Sequence, residues 1–132
     1  MQRIIYENNE GGVSIIVPTG KIEDCIKDVP KGKTYKIVNT SDIPSDRTFR
    51  NAWKDDNGIT VDMPKAKLIS HEKRRAKRAE EFKPLDIEAT IPSMAVAAES
   101  KRQVIRDKHA AIQNDIDLAQ TAAGLKAIIE LL

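Results

Sequence analysis

The chain has 132 residues, 32% of them charged and only 4% aromatic, with a formal net charge of +2. That suffices for one domain, or for a small domain plus an extended helical arm, whose core must be built from Ile, Val, Leu and Ala. No apolar run reaches the ~18 residues of a membrane span and no charged-then-apolar leader is visible, so neither membrane insertion nor secretion is expected.

The first elements read as strands. Residues 3–6 and 13–17 are β-branched runs joined by Glu7-Asn-Asn-Glu-Gly-Gly12, a loop whose Asn and Gly residues tolerate positive φ. Pro18-Thr19-Gly20 ends the second run, and Thr19 can cap a helix over 21–28 with Ile22, Cys25 and Ile26 on one face. A single cysteine makes no intrachain disulfide, which fits synthesis in a reducing cytoplasm; Cys25 reads as a small apolar residue. Residues 34–38 form a third strand. The order is β-β-α-β, and three strands with one apolar face need further cover.

That cover is expected from 45–53. Ser45 is a suitable N-cap, Asp46 suits the first turn, and Phe49 and Trp53 are four apart, so the stretch predicts a short helix presenting an aromatic wedge. A polar turn at 54–58 and a brief edge strand at 59–61 complete a module over 1–62.

From 63 onward the pattern is helical. Asp62 caps a helix over about 63–83, with Pro64 in its first turn and Pro84 as its stop. After a linker, Ser93 caps a second helix over about 93–119. There Ala98, Ile105, Ile112 and Ala119 recur at seven, with His109 and Ile116 at intermediate steps. Thr121 restarts a third helix to about 131. The expectation is an α+β protein, with the β-rich module followed by a helical hairpin or coiled-coil-like arm over 63–132. The apolar side chains of that arm exceed the cover it offers, so Ile105, Ile112, Ile116, Leu125, Ile128 and Leu132 are expected to form an association surface.

Chemistry-bearing motifs are sparse. Gly32-Lys33-Thr34 ends like a phosphate-binding loop, but position 27 is Lys where a Gly is needed, and a strand follows instead of a helix. His71-Glu72 opens like a zinc-protease pattern whose second ligand would fall on Arg75. His109, on the seam, reads as a hydrogen-bonded core or interface histidine. Asp86 and Glu88 carry no mark of an acid–base pair. No enzyme activity, metal or cofactor is expected.

Charge is uneven: residues 1–62 carry 9 basic and 10 acidic side chains, and residues 63–132 carry 13 and 10. Lys73, Arg74, Lys77 and Arg78 stand at i,i+4 spacing and could face phosphates. Without interleaved aromatics, and with Glu72, Glu80 and Glu81 around them, they read as a solvated face or one that meets an acidic partner.

Several segments together resemble a known group. They are Ser-Asp-Ile-Pro-Ser-Asp-Arg-Thr-Phe-Arg-Asn-Ala-Trp at 41–53, Met-Pro-Lys-Ala-Lys at 63–67 with the basic helix behind it, Pro-Leu-Asp-Ile at 84–87, and Lys-Arg-Gln-Val-Ile-Arg-Asp at 101–107 with the tail after it. In this order they resemble small proteins encoded among the tail and tail-fibre genes of tailed bacteriophages, and the C-terminal part is similar to the helical segment of tail-fibre assembly chaperones. The resemblance implies a virion-associated structural or adaptor role in the tail region, after synthesis in the host cytoplasm, with partners that include itself and other tail or tail-fibre proteins. The alternatives are an assembly chaperone absent from the mature particle, and a nucleic-acid-binding protein using 73–78.

Overall fold

Ile4 and Ile5 are adjacent on the first strand, point to opposite faces of its sheet, and are both buried. The computed structural model describes residues 1–132, of which 55% are helical and 16% in strands, an α+β protein. It divides into two compact units, Met1–Ala66 and Lys67–Leu132.

In the first unit, β1 (Gln2–Glu7), β2 (Val13–Ile16) and β3 (Tyr35–Asn39) form an antiparallel sheet in the order β2-β1-β3. Ile5 stands opposite Ile15 on β2 and Lys36 on β3. The β1–β2 loop is held by Asn8, whose Oδ1 accepts from the N–H groups of Glu10 and Gly12 at 3.1 and 2.9 Å. Gly11 has φ +77°, and the Lys65 ammonium donates to the carbonyls of Glu10 and Gly11 at 3.2 and 3.1 Å. The positive φ is what favours glycine there; a Cβ would stand 2.7 Å from that ammonium, which the flexible Lys65 side chain can relieve by moving aside.

A second ribbon, β4 (Trp53–Asp55) paired with β5 (Ile59–Val61), supplies the core. Trp53 is 1% exposed and clusters with buried Ile5 and Val13, flanked by Ile15, Val38, Ile43, Ile59 and Val61. Phe49 is buried too. The expected helix over 45–53 is absent. Asp46 Oδ1 instead accepts from the N–H and hydroxyl of Thr48, a local turn that competes with helix, and only Arg50–Ala52 makes a single 3-10 turn. Trp53 is the first residue of a strand, cross-paired with Val61. The helix expected over 21–28 is a 3-10 segment, Ile22–Asp28, preceded by Lys21 and without the Thr19 cap.

The remaining elements are helices: α1 (Met63–Glu88), α2 (Ala95–Leu118) and α3 (Ala122–Glu130). Asp62 Oδ1 reaches the Lys65 N–H at 3.4 Å, as expected of its capping position. α1 does not stop at Pro84, which lies inside it. The missing N–H forfeits one rung, yet the helix continues one further turn, in which Leu85 is buried. α2 starts after Met94 and not at Ser93, and no side chain caps it. α3 is capped as expected, Thr121 Oγ1 accepting from the Gly124 N–H at 3.0 Å.

Candidate association surface

Within the second unit, α1 and α2 run antiparallel and are bridged along their length by charged side chains. His71 Nε2 meets Asp117 Oδ1 at 2.8 Å, and Lys67 donates to the Asp117 carbonyl at 2.8 Å. Glu81 binds Lys108 at 2.7 Å and His109 Nε2 at 2.9 Å through its two oxygens. Arg102 pairs with Asp86, and Lys101 stands 4.0 Å from Glu88. Arg106 lies over the Phe82 ring, 6.0 Å from its centroid.

Burial alone would raise the Glu81 carboxyl, but the bonds from Lys108 and His109, and their charges, outweigh it and hold Glu81 below the ordinary carboxylate value. His109 is fully buried. The Nδ1 atoms of His71 and His109 are both buried without a hydrogen-bond partner, while the Nε2 atom of each ring faces a carboxylate.

Arg74 departs most from expectation. It is 4% exposed, and its Nε and Nη1 atoms have no hydrogen-bond partner. Burial, with Arg78 and Arg75 nearby, lowers its pKa against the opposing pull of Asp117. The expected basic face therefore loses a member. Lys73 is exposed and Lys77 and Arg78 are half-buried, so the four residues do not form one solvated stripe.

The expected association residues are also redistributed. Ile116 and Leu125 are fully buried and belong to the core of their own unit, while Ile105, Ile112, Ile128 and Leu132 are half-buried. They sit on the inward side of α2 with Ala98 and His109, or on α3, which packs against α2, and, for Leu132, just beyond its end. The side of α2 left open lies one residue away in sequence, which rotates it by about 100°. It consists of Ala97, Val104, Ala111 and Leu118, all exposed, Val104 by 67% and Leu118 by 68%. Val96 adds to it. This second seven-residue repeat was visible in the sequence, but its small alanines hid it beneath the richer isoleucine stripe.

No group of three or more His, Cys, Asp or Glu side chains is arranged to hold a metal ion. No helix is long and apolar enough to cross a membrane. Compared with known proteins, the chain matches no family model, no curated protein and no solved structure.

Proposed function

We propose that this chain is a structural adaptor of the tail region of a tailed bacteriophage, working by association with itself and with other tail or tail-fibre proteins. The observation that carries the reading is the open stripe of α2, where Ala97, Val104, Ala111 and Leu118 repeat at seven and remain uncovered. Apolar area removed from water is worth about 25 cal/mol per Å², so covering a few hundred Å² supplies several kcal/mol toward docking. The placement in a phage tail rests on the resemblance of 41–53 and 101–107.

Mass spectrometry of purified particles tests the reading, using the parent and a Val104→Lys, Leu118→Lys variant. Both positions are exposed, so the variant should keep the parent's helical spectrum and yet be missing from particles that contain the parent. A parent chain absent from finished particles but needed for fibre assembly would favour the chaperone alternative. A variant incorporated as well as the parent would remove the stripe from the argument.

A further inference from the structure

We propose that a cleft at one end of the three-stranded sheet takes a glutamate side chain of a protein partner, held between Arg3 and Arg47. The site lies wholly in the first unit and does not rest on the adaptor reading.

Arg3 stands on the same face of β1 as buried Ile5, two residues nearer the start of the strand. There a cleft of about 240 Å³ opens between the sheet and the segment that follows β3. Ile15 and Val17 line it from the sheet, and Ile43 and Pro44 from the segment, so most of its wall is apolar. Ile15 and Ile43 also flank the Trp53 cluster, which fixes the cleft to the core of the unit.

The charge in the cleft is of one sign. Arg3 and Arg47 both line it, and no carboxylate does. The Arg47 side chain makes no hydrogen bond or ion pair. Arg3 spends only Nη1, on the exposed Gln2 carbonyl at 3.0 Å, which leaves most of its fork free. The nearest acids in sequence are turned elsewhere. Asp42 lines a different cleft and accepts from the Asn39 N–H, and Asp46 Oδ1 accepts from Thr48. Of the two hydroxyls present, that of Thr40 donates to the Met1 carbonyl at 2.9 Å, whereas that of Ser45 is uncommitted. Two guanidinium groups and a hydroxyl thus stand ready for an anion.

Size and donor geometry select which anion. Clefts that hold drug-sized molecules run to about 300–1,000 Å³, so this one suits a single side chain. Each guanidinium is a planar fork that matches the two oxygens of a carboxylate. The N–H groups of Thr40 and Ile43 are spent on the carbonyls of Met1 and Thr40, and Pro44 has none. No nest of backbone donors therefore meets the further oxygen and charge of a phosphate. The apolar wall favours an acid on an aliphatic stem, and glutamate brings two methylenes. A free acid would have to offset its whole loss of translational freedom with a few hydrogen bonds. A side chain arrives on a chain whose other contacts already offset that loss.

The test follows the arginine Nε–H signals and the methyl signals of Ile15, Val17 and Ile43 in the full chain by nuclear magnetic resonance. Four probes are titrated: a blocked Ala-Val-Glu-Val-Ala peptide, the same peptide with Gln at its centre, sodium butyrate and inorganic phosphate. The Glu peptide should shift these signals saturably, with the Gln peptide and butyrate weaker by about tenfold or more. Arg47→Gln, at an exposed position, should keep the parent's amide spectrum and lose about tenfold in affinity for the Glu peptide. Arg47→Lys should also bind more weakly than the parent, because it keeps the charge without the fork. Butyrate binding as tightly as the Glu peptide would make the occupant a free acid, and phosphate binding more tightly would make it a phosphate; either overturns the proposal. So does a Gln peptide that binds equally well, or an Arg47→Gln variant with the parent's affinity.

Discussion

Replacing Trp53 by alanine should unfold the first unit or bring it to the edge of unfolding. The side chain is 1% exposed and touches both the sheet, through Ile5 and Val13, and its own ribbon, through Ile59 and Val61. A buried tryptophan removes roughly 200 Å² from water, about 5 kcal/mol at 25 cal/mol per Å². Measured truncations of this kind fall at about 3–5 kcal/mol. A unit of 66 residues has a total stability of about 3–10 kcal/mol. The loss is therefore comparable to the whole. At about 4–8 °C per kcal/mol for a domain of this size, the melting transition should fall by 12 °C or more. Far-UV circular dichroism serves as the assay, because the variant lacks the only tryptophan and intrinsic fluorescence no longer reports on it. Backbone amide spectra then identify which residues lose dispersion, and these should be those of β1 to β5. If the variant's melting curve overlays that of the parent, Trp53 is not the centre of this core.

Two further outcomes follow from the helical unit. Glu81 is held below its unfolded pKa, so it favours folding above that unfolded value and loses this contribution as pH falls through the lower folded one. Urea unfolding of the parent should weaken on acidification below about pH 4.5, whereas Glu81→Gln should start weaker at pH 7 and show a shallower acid limb; parallel limbs would remove Glu81 from the account. Arg74→Met should leave stability unchanged or raise it by about 1–3 kcal/mol, since it removes a buried cation with unpaired donors and keeps the side-chain stem. A lower urea midpoint would show that Asp117 or the seam relies on the guanidinium.

The parts legible in the sequence are those where one local signal is uncontested. The β1–β2 hairpin follows from two β-branched runs around an Asn/Gly loop, and the caps at Asp62 and Thr121 follow from their position ahead of apolar periodicity. Residues 45–53 failed for a physical reason. Phe49 and Trp53 have helical spacing, but the Asp46–Thr48 turn and the pairing of Trp53 with Val61 offered the backbone better partners, so burial was foreseeable and conformation was not. Pro84 misled in the opposite direction, because a burial partner beyond it can outweigh one lost rung. Arg74 could not be read at all, since nothing local distinguishes it from Arg75, and burial is decided by which side of α1 meets α2.

The two histidines of the chain offer a last consequence, for alignment. Each reaches from its own helix to a carboxylate on the other: His71 on α1 to Asp117, and His109 on α2 to Glu81. The two tie points are ten residues apart on α1 and eight on α2, or about 15 and 12 Å at 1.5 Å per residue. The longer Glu81 takes up the difference. An apolar seam of alanines and isoleucines discriminates poorly against sliding by a turn, but such a slip would break both ties at once and leave the sheltered rings of His71 and His109 without their carboxylates. The pair acts as a vernier on the hairpin, setting which rung of one helix faces which rung of the other.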